Sequence, residues 1–134
     1  MRHALGFAAL LCLVALPAAG QDPVKVDPKH YKVVFENAEV RVLRFNYGPH
    51  EKSVMHSHPN LVVIPLTDAK VRFGLPGGKS EEQELKANQP QWTPATTHNP
   101  ENMGDKALEG ILVELKTKAK PKAAAPATKK KPTA

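Results

Sequence analysis

Apolar residues in this chain recur at every second position in short runs, separated by polar and turn-forming residues. That period places side chains on the two faces of an extended strand, whereas a helix would bring apolar residues back every third and fourth position. The runs predict strands over residues 31–35, 39–47, around His56, 61–64, 69–73, 80–86, 91–93 and 107–115. Residues 81–87 also score as a short helix. They follow Pro76-Gly77-Gly78, however, whose glycines supply the positive φ of a tight hairpin, so the run reads as a returning strand. Pro65 cannot donate to a ladder and demotes its end of the 61–64 strand to an edge or a bulge. Between the strands at 91–93 and 107–115 the chain is polar and Thr-rich, and reads as turn and loop. Many short strands at regular spacing predict an all-β domain, a sandwich or a closed barrel, without internal repeats.

The two ends depart from this pattern. Residues 1–20 carry Arg2 and His3, an apolar run over 4–16, and then Pro17-Ala18-Ala19-Gly20. A positive start, a short apolar run and small residues before a cleavage point mark a secretory signal peptide, and the run falls short of the ~20 apolar residues that span a bilayer. Cleavage after Gly20 makes Gln21 the first mature residue and predicts a periplasmic or secreted protein. It also removes Cys12, the only cysteine, which excludes disulfide and thiolate chemistry from the rest. Residues 116–134 hold seven lysines, three prolines and no acidic residue. Such a segment cannot bury enough apolar surface to offset the entropy of ordering it, and predicts a disordered basic tail.

The tail changes how the charge is read. The whole chain is at +6, yet residues 21–115 carry 11 Lys and Arg against 13 Asp and Glu. The tail is either a solvated tether or an attachment to an anionic envelope surface. Nucleic acid is not expected as a partner, because no aromatic residue interleaves the lysines. Residues 21–115 remain as the folded domain.

Candidate chemistry is concentrated in His56-Ser57-His58. In an extended segment, side chains two residues apart project from one face, so the two imidazoles stand side by side. His98, at the end of Trp92-Thr93-Pro94-Ala95-Thr96-Thr97-His98, is the candidate third ligand. Three neutral imidazoles suit a divalent transition metal, Fe, Zn, Cu, Ni or Mn, over magnesium or calcium, and leave coordination positions open. No Ser-His-Asp, Cys-His or phosphate-cradling glycine pattern competes with this reading.

These residues resemble the two motifs of a small single-domain cupin: Gly48, the run through Lys52, His56-Ser57-His58, the Pro76-Gly77-Gly78 hairpin, then Trp92 to His98 with Asn102 four beyond. The resemblance covers about residues 31–115. It implies a cupin-type jelly-roll β-barrel in which His56, His58 and His98 converge on one divalent metal. The chain departs from the family at three places. Val62 and Val63 stand where relatives have a glutamate. Asn88-Gln89-Pro90 replaces a glycine, and Pro94 is one residue closer to His98 than the family pattern places it. Cupins that work with three histidines and iron exist, so the missing glutamate does not by itself remove the site.

The other residues have plainer readings. His50 reads as an exposed loop residue, His30 carries no assignment, and Met55 and Trp92 read as core. Thr96, Thr97 and Asn102 read as partners of a turn backbone, with Asn102 also placed to orient His98. Glu101 stands three residues after His98 and is a possible stand-in for the missing carboxylate, but on a loop it reads as facing water. His50 and Glu101 are the candidates for a general base.

Three functions remain open at this point. One is a metal-dependent oxygenase or isomerase acting on a small anionic molecule. Another is a non-catalytic binding module for a small ligand or metal. The last is a metal-free envelope interaction protein. Whether the chain is an enzyme is not legible here. A homodimer through the strand edge at 31–35 is also expected.

Overall fold

The computed structural model describes residues 20–117, and within them the alternating runs form nine strands behind one short helix. The helix is α1 (Pro23–Val26). The strands are β1 (Tyr31–Glu36), β2 (Val40–Tyr47), β3 (His56–His58), β4 (Leu61–Pro65), β5 (Ala69–Gly74), β6 (Ser80–Leu85), β7 (Gln91–Thr93), β8 (Thr96–Asn102) and β9 (Leu108–Leu115). The predicted signal peptide, save for Gly20, and the tail beyond Thr117 lie outside the described residues.

All the strand pairs are antiparallel, in two sheets ordered β1-β2-β9-β4-β7 and β3-β8-β5-β6. This is an all-β jelly-roll arrangement. The closed barrel expected from the sequence is not formed: no strand pair among the described residues joins one sheet to the other. The sheets instead pack through a buried cluster. It takes Leu43, Phe45 and Tyr47 from β2, Leu61 from β4, Val71 from β5, Leu85 from β6 and Leu108 and Leu112 from β9, with Tyr31 of β1. Each side chain buried in this way contributes ~1.5–3 kcal/mol relative to an exposed position.

Two glycine positions show how local chemistry sets the fold. Gly77 and Gly78, between β5 and β6, have φ of 81° and 79°, the region that side chains with a Cβ avoid. Gly110 of β9 lies opposite Phe45 in the β2–β9 ladder. A Cβ there would come within 2.3 Å of the Phe45 ring and 2.9 Å of the Ile64 carbonyl oxygen. Pro65 is the last residue of β4, beyond the reach of β7, which pairs only with Leu61, Val62 and Val63.

The sequence reading is corrected at three points besides the barrel. Residues 96–102 are not a loop but β8, which pairs with both β3 and β5. Their polar composition hides the strand, since no aliphatic residue occurs among them. Trp92 is 57% exposed, because β7 is a three-residue edge strand that turns it outward. Met55, just before β3, is 36% exposed. Neither belongs to the core.

Candidate metal centre

The antiparallel register of β3 and β8 sets His56 directly opposite His98, with Ser57 opposite Thr97 and His58 opposite Thr96. Alternation buries His56 and His58 and leaves Ser57 half-buried on the other face, where its hydroxyl meets that of Thr97 at 2.6 Å. The three histidines therefore gather on the inner face of one sheet. One ligand-capable nitrogen from each lies within 4.8 Å of the other two. Their rings meet edge to face, with centroids 4.8 to 5.3 Å apart, and His98 is stacked on Phe73.

The hydrogen bonds fix which nitrogen is free. His56 Nδ1–H donates to the Val54 carbonyl at 2.8 Å, with Ser53 Oγ at 3.2 Å. His58 Nδ1–H donates to Glu114 Oε1 at 2.6 Å. With both Nδ1 atoms engaged as donors, the Nε2 lone pairs are the ones left to bind a metal. The Nε2 atoms of His56 and His98 are buried without a hydrogen-bond partner among the described residues. Buried polar atoms are normally paired, and orphaned nitrogens on facing histidines are what an absent cation would leave. Burial pushes His56 down to about 4; it also pushes His98 down to about 3, with the neighbouring imidazoles adding to the effect. Both are neutral near pH 7, which is the form that ligates metal.

Glu114, a carboxylate outside the motifs, stands behind His58 and not among the candidate ligand atoms. It lies on β9, 1% exposed, and also accepts from Arg41 Nε at 2.6 Å. Burial pushes its carboxyl up, but the bonds from His58 and Arg41 outweigh this and hold it below the usual range. The signal was present in the sequence: in 108–115 the buried positions are Leu108, Gly110, Leu112 and Glu114, an acidic residue in phase with the apolar face. His30 was likewise missed. It is buried, stacks on Tyr47 with centroids 4.2 Å apart, and sets its two ring nitrogens against the carboxylates of Asp27 and Glu51.

A cavity of about 180 Å³ opens beside His58 and His98, lined mainly by Phe45, Leu61, Val63, Val71, Phe73 and Leu112. Val63, at one of the two positions where the motif glutamate was sought, thus gives the cavity an apolar wall. Tyr31 lines it too, edge-on to His56 at 4.9 Å, its hydroxyl accepting from that of Tyr47 at 2.6 Å. Burial, with the neighbouring Tyr47 hydroxyl and carboxylates, raises Tyr31 well above the usual phenol range.

The other candidates fall elsewhere. His50 has a φ of 57° and pairs with Asp105 on the surface. Glu101 is on β8 and faces Arg72 at 3.7 Å. Neither is among the residues lining the cavity. Asn102 is fully buried and ties two loops together, donating to the carbonyls of Gly48 and Lys106 and accepting from Gly104 N–H.

No protein-family model matches the sequence, and no curated protein matches it either. Solved structures do. A cupin domain from Bordetella pertussis Tohama I superposes with a TM-score of 0.61 at 25% identity, over 65% of this chain and 92% of that one. The chain has the fold of a small cupin domain. A Klebsiella pneumoniae protein with a double-stranded β-helix domain matches with a TM-score of 0.52 at 19% identity, over 63% of this chain and 74% of that one. A cupin family protein from Methanocaldococcus jannaschii gives 0.51 at 13%, over 63% and 77%. At those identities the two likenesses speak for the fold alone. The cupin fold and the three-histidine cluster together point to a metal-binding cupin.

Proposed function

We propose that this cupin holds one divalent transition metal on the Nε2 atoms of His56, His58 and His98 and acts on a small molecule as a metal-dependent oxygenase or isomerase. The observation that carries the reading is the pair of buried, unpartnered Nε2 atoms on His56 and His98, beside a His58 whose Nδ1 is held by Glu114. Bound there, a transition metal supplies a Lewis-acidic centre with positions left for an anionic group of the ligand. The cavity lining is mostly apolar and contains no lysine or arginine, with Glu81 as its one acidic residue, which supports a ligand whose negative charge is met at the metal and whose body is largely apolar.

Elemental analysis of the purified chain, beside a His56→Ala/His98→Ala double variant, tests the site. Equal metal content in the two would sink it. Oxygen uptake and product analysis with small carboxylates and thiols then separate turnover from binding. A binding module without turnover is the second reading. What favours it is that His50 and Glu101, the acid–base candidates, face away from the cavity.

Export, the basic tail and self-association belong to the same proposal. A secreted form whose mass begins at Gln21 supports export. Deleting residues 117–134 should lower retention on anionic vesicles in a salt-sensitive way; unchanged retention leaves only a solvated tether. β1 ends its sheet and exposes Val33, Val34 and Phe35, which supports a dimer through that edge. Light scattering that returns the monomer mass at high concentration removes it.

A further inference from the structure

Residues 20–30 precede the first strand and pack through α1 on β1 and β3. Their contact with the histidine strand is direct: Ser57 N–H, between the two histidines, donates to the Gln21 carbonyl at 2.8 Å. The four-residue α1 is bounded by two aspartates, Asp22 at its N-cap and Asp27 at its C-cap. Each aspartate ends a hydrogen-bond chain that begins at a different histidine of the cluster.

The first chain starts at His58. Its Nδ1–H donates to Glu114 Oε1, Arg41 Nε donates to Glu114 Oε2 at 2.6 Å, and the Arg41 guanidinium donates onward to Asp22 Oδ2. The other oxygen of Asp22 accepts from Val24 N–H at 2.9 Å, which fixes the carboxylate to the helix start. The second chain starts at His56. Its Nδ1–H donates to the Val54 carbonyl at 2.8 Å and is shared with Ser53 Oγ at 3.2 Å, and the Ser53 hydroxyl donates to Asp27 Oδ2. Asp27 is braced from behind by His30 Nδ1 at 2.7 Å. Two ligand orientations, set by separate relays from β2 and β9 and from the loop before β3, thus terminate on one short segment that contributes no ligand itself. A polar chain of this kind is satisfied only when every member is in place, so displacing the segment leaves Arg41 with Glu114 alone and takes the Asp27 acceptor from Ser53.

We propose that residues 20–30 form a strap that completes the metal site, with Asp22 and Asp27 as positioning residues for His58 and His56. The proposal rests on the three-histidine metal reading. Partners that orient metal-ligating histidines typically change metal affinity 10–100-fold when removed. Gln21, the residue at which the proposed export cleavage leaves the chain, lies in this strap and accepts from Ser57 N–H, so the processed N-terminus would sit against the histidine strand.

The test uses Co²⁺ with the full chain and the variants Asp22→Asn, Asp27→Asn, Ser53→Ala and, as a control on an exposed carboxylate of β6, Glu82→Gln. Affinity is measured by competition with a chelator, and ligand geometry by the visible d–d absorption of the bound Co²⁺. Thermal unfolding of the metal-free forms is recorded alongside. The expected result is a roughly 10-fold loss of affinity with altered cobalt bands in Asp22→Asn, Asp27→Asn and Ser53→Ala, and none in Glu82→Gln. Ser53→Ala cuts the second relay from outside the strap and leaves both aspartates in place, so it carries the test if an aspartate variant does not fold. Lowered melting temperatures with wild-type affinity and unchanged cobalt bands would mean a merely structural segment and overturn the proposal. A wild-type chain that takes up no Co²⁺ would overturn the three-histidine reading instead, and the strap with it.

Discussion

Nδ1 of His58 and Oε1 of Glu114 lie 2.6 Å apart, with both side chains at most 2% exposed. A buried carboxylate of this kind needs its cation, and Arg41 provides it on the other oxygen. Glu114→Gln keeps an acceptor for His58 but strands the Arg41 charge with Asp22 alone. Removing one partner of a buried pair costs ~3 kcal/mol. We expect that loss in denaturant unfolding of the metal-free protein, and a roughly 10-fold weaker metal in chelator competition, because the imidazole exchanges a charged acceptor, which raises its basicity as a ligand, for a neutral one. Wild-type metal affinity in Glu114→Gln would show that His58 is oriented by something else.

The cavity separates binding of a ligand's head from binding of its body. Val71 is 1% exposed and lines the cavity from β5, on the sheet that carries the histidines. Val71→Phe adds a ring to that space while leaving His56, His58 and His98 themselves unsubstituted. It should leave metal content unchanged and cost ~1–3 kcal/mol through overpacking. Phenylacetate, with an apolar body behind its carboxylate, should lose at least tenfold in affinity for the Co²⁺ form, while acetate binds as before. Equal losses for both probes would place the ligand's body outside the cavity.

What the sequence made legible followed from period-two alternation. Strands with an apolar face, such as 40–47 and 108–115, declare themselves, and so does His56-Ser57-His58, because its spacing alone puts both rings on one side. β8 did not, since a strand that faces the cavity with Thr96, His98 and Pro100 has no aliphatic pattern to read. The third histidine was proposed as a partner for the His56–His58 pair and supported by the motif resemblance, not by its strand. The outer partners were invisible for a different reason. Glu114 acts across 56 residues of chain, Asp22 and Asp27 act through intermediaries, and Ser53, though only three residues from His56, is linked to Asp27 across 26, so only the packed fold brings them together. Trp92 misled because a large apolar residue on an edge strand looks, in sequence, like one in the core.

Gly110 offers a check on the packing beneath the site. Its Cα faces the Phe45 ring, and the nearest backbone atom to an added methyl is the Ile64 carbonyl oxygen. The ring is able to yield but the backbone is not. Gly110→Ala should therefore destabilise the protein by ~1–3 kcal/mol, and a Phe45→Leu background should relieve part of that cost without removing it. Strict additivity of the two substitutions in a double-mutant cycle would mean that the ring and the glycine do not press on each other.

Glu51 gives the acid limb of stability a specific origin. Its carboxylate accepts from Lys29, from Gly48 N–H at 2.7 Å and from His30 Nε2 at 3.1 Å. The Lys29 ammonium first, then the Gly48 amide, hold it at about 2 against an ordinary 4.5. Between those values the folded protein keeps Glu51 ionised while the unfolded chain takes up a proton. The unfolded state thus binds more protons, and stability falls as pH is lowered through this window. The contribution is fully present above about pH 4.5 and gone below about pH 2. Glu51→Gln cannot titrate, so its deficit relative to wild type should be largest near neutral pH, shrink across this window, and shrink further in high salt because the group is partly exposed. Urea midpoints of both proteins at several pH values between 6 and 2 measure it. Parallel curves would mean that Glu51 does not supply the acid sensitivity, and would move attention to the Asp22 and Asp27 carboxylates, whose pKa values are also lowered.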